Sequence, residues 1–328
     1  MPIARTRAGL AVAVLALLVQ GCATNQPQMP EIRSVHRGTD GDPSVKPEDL
    51  KLSPEQHMEQ GRQALQKQEW TRASQHFQEV VKDQPDNTKA LLGLGHALSG
   101  QGRQGRAEEV FARVVRLDPG NTEGLEGLGL AQLRRRKLDE AGETLHDLAD
   151  KHPERWRAWN GLAFIHDLNG DFERSETLYR KALKASPGNP QILSNWGFSR
   201  IMAGDFPAAE RILRKGLDQG SHYPPLRNNL GIAVARQGRY KAAVRILTKG
   251  MGQPQALNNV GYVAMLQGDY PTARRYFKRA LAASPTYYPR ADHNLDKLEA
   301  LQDGDAQAEE PTRRDHEARQ ITISQTPN

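Results

Sequence analysis

The chain of 328 residues contains one cysteine, Cys22. It can form neither an intramolecular disulfide nor a cysteine cluster for a metal. Aromatic residues make up 6% of the sequence and hydrophobic residues 37%. So few aromatics argue against one large globular core. The apolar run Leu10 to Val19 is ten residues long, too short to cross a bilayer as a helix. Net charge is only +6, the balance of a solvated surface rather than of a polyanion binder. The densest basic cluster, Arg134-Arg135-Arg136-Lys137, has no aromatics interleaved with it. It falls between helical segments and reads as a wet loop, so no nucleic acid is expected as a partner. Ten histidines are scattered along the chain without an HExxH pair. No GxSxG elbow, phosphate loop or dinucleotide fingerprint is present either. An enzyme is therefore not expected, nor is a cofactor or a metal.

What the sequence does have is a period. Small residues recur at Gly61, Gly95, Gly129, Ala163, Gly197 and Gly231 in steps of 34, then at Gly261 after 30. A second series in the same phase is Ala73, Ala107, Ala141, Ser175, Ala209, Ala243 and Ala273. Pro85, Pro119, Pro153 and Pro187 form a third. Such a unit is two antiparallel helices, A and B. The small residue of A lets B approach closely, and a large residue of B fills what remains. Those large partners are Phe77, Phe111, Leu145, Tyr179, Leu213, Leu247 and Phe277. Gly102, Gly170, Gly204, Gly238 and Gly268 fall at the A–B turns, where a positive φ is easy for glycine. Asp171, Asp205 and Asp269 follow turn glycines and read as helix caps. Phe172, Phe206, Tyr240 and Tyr270, two residues past each turn glycine, are expected to cover that turn. Ser53-Pro54-Glu55-Gln56 has the form of a capping box with proline at the first helical position.

These residues resemble the tetratricopeptide repeat (TPR) family over roughly Pro54 to Tyr287, seven units. The resemblance implies an all-α fold, a right-handed α-solenoid of about seven helical hairpins. A C-terminal capping helix is expected from Ala291 to Leu301, with Leu295, Leu298 and Leu301 on its apolar face.

The N-terminus adds a second resemblance. Arg5 and Arg7 precede the apolar run, which ends in Val19-Gln20-Gly21-Cys22. That order is similar to the bacterial lipobox. Residues 1–21 are then a lipoprotein signal peptide and 22–52 a lipidated N-terminus with a disordered, proline-bearing tether. The solenoid covers 53–302, and 303–328 form a disordered polar tail. The resemblance implies lipid on Cys22, and Ala23 behind it implies the periplasmic face of the outer membrane.

In the TPR family, stacked A helices line a groove through the fifth, sixth and ninth positions of each unit. Here the fifth positions are Asn160, Ser194, Asn228 and Asn258 in the fourth to seventh units. The sixth positions include Asn195, Asn229 and Asn259, and the ninth are Phe164, Phe198, Ile232 and Tyr262. An amide ladder beside an apolar stripe suits a peptide backbone and its side chains. The same amides would serve equally to bridge neighbouring helices. Leu92, His96, Glu126 and Leu130 break the ladder in the second and third units, which favours the C-terminal half as the binding surface.

Asn228-Asn229-Leu230-Gly231-Ile232-Ala233-Val234 and Asn258-Asn259-Val260-Gly261-Tyr262, together with the shortened sixth unit, are similar to the tight-adherence (Flp) pilus assembly lipoproteins of the TadD family. That resemblance implies secretin or pilus components as partners. Similarity to NlpI-type adaptors, which scaffold cell-wall hydrolases or a periplasmic protease, is the alternative. A plain structural spacer remains a third.

Overall fold

The computed structural model describes residues 52–302; Cys22, the signal segment, the tether and the tail lie outside them. The described residues are helical, with no strand among them. Seven hairpins follow one another. They are α1 (Pro54–Gln66) with α2 (Trp70–Asp83), α3 (Thr88–Gly100) with α4 (Gln104–Leu117), α5 (Thr122–Arg134) with α6 (Leu138–Lys151), and α7 (Trp156–Leu168) with α8 (Phe172–Ala185). Then come α9 (Pro190–Met202) with α10 (Phe206–Asp218), α11 (Pro224–Arg236) with α12 (Tyr240–Leu247), and α13 (Gln253–Leu266) with α14 (Tyr270–Ala283). A last helix, α15, begins at residue 289 and runs to the end of the described region. The helices divide between Pro187 and Gly188 into two compact units, α1–α8 and α9–α15, each an α-solenoid of stacked hairpins.

The small and large residues meet as their spacing predicts. A Cβ on Gly95 would lie 2.6 Å from the ring of Phe111, and one on Gly197 would lie 2.4 Å from Leu213. The seven large partners are buried, as is the Ala73 series. Full burial of each large side chain contributes roughly 1.5–3 kcal/mol. The B helices bury one stripe, such as Ala107, Phe111 and Val114 of α4, at the spacing of a single helical face. The A helices are sandwiched between neighbours and bury more of their circumference. In α13, Ala256, Leu257, Val260, Val263 and Ala264 are all covered.

Five of the seven A–B turns place glycine at a φ of 74–81°. The other two hold Gln68 at 57° and Arg136 at 64°, a conformation that disfavours a side chain. Asp171, Asp205 and Asp269 accept from the backbone N–H groups of Arg174, Ala208 and Thr272. Ser53 and Gln56 complete the capping box reciprocally. The four-residue deletion of the sixth repeat falls on its B helix: α12 has 8 residues where α14 has 14.

Two features go beyond the repeat pattern. Aromatics after the turns also reach the next hairpin, as Trp70, Phe206 and Tyr240 do. Trp70, the first-hairpin counterpart, packs where a Cβ on Gly100 would stand, 2.4 Å away. Phe206 lies under the guanidinium of Arg236 at 4.9 Å, and Tyr240 faces Tyr276 at 6.2 Å. The basic cluster is not simply a wet loop either. Arg135 and Lys137 both donate to Glu108 of the preceding B helix, at 2.6 and 2.7 Å.

That clip recurs along the chain. Gln101 donates to Ser74 at 2.7 Å, and Gln237 donates to Glu210 at 2.9 Å. Each joins the end of one A helix to the B helix 27 residues before it. Arg239 and Arg214 also bind Glu210, both at 2.7 Å. In α15, Ala291 and Leu298 are buried and Leu295 packs against Phe277 and its neighbours, while Leu301 is exposed.

Candidate protein-binding surface

In the second unit the predicted groove residues stand on α9, α11 and α13. Several of their polar atoms are engaged within the fold. Asn229 donates to the hydroxyl and the carbonyl of Ser194, at 3.1 and 3.2 Å. Asn294 of α15 donates 2.9 Å to the side-chain oxygen of Asn258, which is only 2% exposed. Asn259 contacts the sulfur of Met251 at 3.5 Å. Ser194 and Ile232 are buried. Asn195, Phe198, Asn228 and Tyr262 are half-buried. The hydroxyl of Tyr262 is buried without a hydrogen-bond partner among the described residues, and burial pushes its pKa up. In the first unit, Asn160 of α7 is buried and Phe164, one turn on, is half-buried. The A-helix amides of the second unit thus act in good part as stitches between helices.

The first unit opens a cavity of about 400 Å³ along α3, α5 and α7. It sits where the amide ladder is broken. Its wall is apolar at Phe111, Gly127 and Leu130. Gly127 matters because a Cβ there would stand 2.5 Å from the Phe111 ring. Around this wall is a set of charges. His96 Nε2 meets Glu123 Oε1 at 2.8 Å, and the His96 ring packs on its edge against Phe111, centroids 5.2 Å apart. Arg157 donates to Glu126 at 3.3 Å and lies over the Trp156 ring at 4.6 Å. Arg155, just before α7, donates to the hydroxyl of Thr122. Arg134, at the end of α5, completes the lining. Its side chain is exposed, with partial desolvation lowering its pKa.

The sequence contains the signal for this cavity. Charged residues stand at or beside groove positions of α5 and α7, and the ninth positions of α3 and α5 are His96 and Leu130. Judged only as departures from the asparagine pattern, they point away from binding, and the geometry brings them together. Among the described residues, no three His, Cys, Asp or Glu side chains cluster as metal ligands would. No described helix is long and apolar enough to cross a membrane.

Stacked helical hairpins with a side-chain-lined face define a class of scaffold for protein–protein interaction. The chain belongs to the tetratricopeptide repeat family. One tetratricopeptide repeat profile matches residues 58–122, 127–190 and 199–254, and a second matches 254–287. Among solved structures, a tetratricopeptide repeat protein from Parabacteroides merdae ATCC 43184 is similar. It has 15% identity and a TM-score of 0.55, over 75% of this chain and 98% of that one. A chain of the APC/C heterotetramer Cut9-Hcn1 is also similar. It has 16% identity and a TM-score of 0.57, over 76% of this chain and 49% of that one. This chain therefore spans about half the length of that relative. Both likenesses are likenesses of fold. No curated protein matches the chain in sequence.

Proposed function

We propose that the chain is a lipid-anchored periplasmic scaffold on the outer membrane. It holds other polypeptides while a pilus or secretion machine, of the tight-adherence kind with its secretin, is assembled. The observation that carries the binding role is the cavity on α3, α5 and α7, a recess of mixed polarity on consecutive A helices. The lipobox-like Val19-Gln20-Gly21-Cys22 supports the anchor, since several acyl chains together hold a protein on a membrane almost permanently. The reading is of a binder rather than a catalyst. In the cavity Glu123 is engaged by His96 and Glu126 by Arg157.

Two measurements test it. Cys22→Ser is expected to abolish palmitate labelling and move the protein from the membrane to the soluble fraction; unchanged labelling removes the anchor. Photo-crosslinking in whole cells from the cavity wall at Leu130 is expected to trap a secretin or a pilus component. Capture of a cell-wall hydrolase or a protease instead assigns the chain to the adaptors, and no crosslink at all supports a mere spacer.

A further inference from the structure

The small net charge conceals an uneven distribution. Residues 52–187 carry 20 Lys and Arg against 21 Asp and Glu, whereas residues 188–302 carry 16 against 7. The excess of the second unit has a fixed place in the repeat. Two and six residues beyond the small residue of each B helix, the fifth to seventh hairpins hold Arg211 and Lys215, Arg245 and Lys249, and Arg275 and Arg279. All six are exposed. In the first three hairpins the same positions hold Gln75 and Glu79, Glu109 and Arg113, and Glu143 and Asp147. The one cation among those, Arg113, is paired with Asp86 at 3.1 Å. In the second unit α10 and α12 pack between the A helix of their own hairpin and that of the next, so the exposed positions form an outer face.

The six cations of that face have no acidic partner among the described residues. Neither α12 nor α14 contains an acidic residue. Glu210 of α10 is taken by Arg214 and Arg239, both at 2.7 Å, and Glu299 of α15 by Arg274 at 2.9 Å. Asp218 ends α10 and pairs with none of the six. Arg275 and Arg279 lie over the ring of Tyr276 at 5.6 and 5.4 Å. Like charges one turn apart weaken a helix, and α10 and α14 each carry such a pair. The fold gains nothing from repeating the arrangement in three hairpins, so its use lies outside the fold.

We infer that the outer face of the second unit docks on an anionic lipid surface, with these six cations against the headgroups. The inference rests on the reading of the chain as a lipid-anchored protein and adds a second contact with the bilayer. Charge complementarity selects the occupant. Anionic headgroups attract a polybasic face through diffuse charge, without a recess or matching side chains. A protein partner would draw on buried aromatic or aliphatic anchors, whereas the exposed residues beside the cations are small or polar, as at Pro207, Thr248, Pro271 and Ala282. A single-stranded nucleic acid would stack on exposed aromatics, and Tyr276, between the two arginines of α14, is buried.

The test is flotation with vesicles, using the unlipidated Cys22→Ser protein. One set of vesicles contains phosphatidylcholine and phosphatidylglycerol in a two-to-one ratio, and the other phosphatidylcholine alone. The protein is expected to float with the anionic set at low salt and to be released at high salt, which screens exposed charges. The neutral set reports whatever the apolar run Leu10 to Val19 contributes. Adding Arg245→Gln, Lys249→Gln, Arg275→Gln and Arg279→Gln is expected to weaken binding to the anionic set by about a hundredfold, and the first two alone by about tenfold, with helical circular dichroism unchanged. Arg103→Gln, Arg106→Gln, Arg134→Gln and Arg136→Gln remove the same number of charges from exposed sites of the first unit and are expected to leave binding as it was. Equal binding to both sets of vesicles overturns the inference. Equal loss in the first-unit variant shows an effect of net charge and also overturns it. Binding to DNA or polyglutamate but not to anionic vesicles gives the face to a polymer, and the inference is wrong. Palmitate labelling is read separately. A labelled chain whose unlipidated form ignores anionic vesicles keeps the anchor and loses the docking face; vesicle binding without labelling keeps the face and removes the anchor.

Discussion

Tyr179 of α8 donates a 2.8 Å hydrogen bond to the carboxylate of Asp167 on α7, and both side chains are buried, at 0% and 2% exposure. Asp167 lies near the end of α7, one residue after His166. The fold turns it inward. It adds a polar contact to the small–large pairing that Ala163 and Tyr179 share with the other hairpins. Tyr179→Phe removes one donor from a buried carboxylate. The expected loss is about 1.5–3 kcal/mol, read as a lower urea midpoint with unchanged m. A midpoint equal to wild type would mean that the bond adds nothing.

Gly231→Ala probes the close approach inside the shortest hairpin. The new Cβ would lie 2.4 Å from Leu247 Cδ2 and 2.5 Å from its Cγ, so the branch point must move and not merely a methyl. Overpacking costs roughly 1–3 kcal/mol, more than the roughly 0.5–1 kcal/mol that alanine gains over glycine in a helix. Leu247→Ala alone also destabilises. In the double variant the two losses are expected to be less than additive, because the second change removes the clash made by the first. Thermal melts of the four proteins measure the coupling, and strict additivity would show that the pair does not touch.

Glu108 sets an acid limit on the first unit. Burial pushes its pKa up, but the bonds from Lys137 and Arg135 outweigh burial and hold it below the usual carboxylate value. With the folded pKa depressed, the unfolded state takes up the proton first as pH falls. The stabilisation is complete above the usual value and is lost as pH drops through the folded one. Glu108→Gln is expected to cost about 1 kcal/mol at neutral pH, since both cations are partly exposed. The gap to wild type closes below roughly pH 4.5. A gap independent of pH would rule out the ionic clip.

Asn258 offers a contrast with what its groove position suggests. Its oxygen is taken by Asn294 of α15, so Asn258→Ala acts on the capping helix. The expected result is a loss of about 1–3 kcal/mol with faster amide exchange across α15. Weakened partner binding with α15 exchange unchanged would return Asn258 to the ligand surface.

Arg136 occupies a turn position where five of the seven hairpins have glycine. Arg136→Gly is expected to be neutral or to stabilise by up to about 1 kcal/mol, while Gly204→Ala, at a φ of 81°, destabilises by a similar amount. The two melting shifts should differ in sign or in size; equal losses would show that the turn tolerates any residue.

The sequence by itself determined the hairpins. Small and large partners such as Gly95 and Phe111 lie 16 residues apart at constant phase, and turn and cap residues report on their own few neighbours. Such contacts are local, so their spacing is readable without coordinates. Only the tertiary structure decided which polar side chains of the A helices are used up and where a cavity remains. Asn258 is closed by a helix 36 residues on, and Glu108 is bound by a turn 27 residues on. In the cavity wall the Phe111 ring of one hairpin fills the space that Gly127 of the next leaves free. Each outcome depends on side chains from separate hairpins competing for the same space and the same hydrogen bonds, and a repeat period carries no record of that competition.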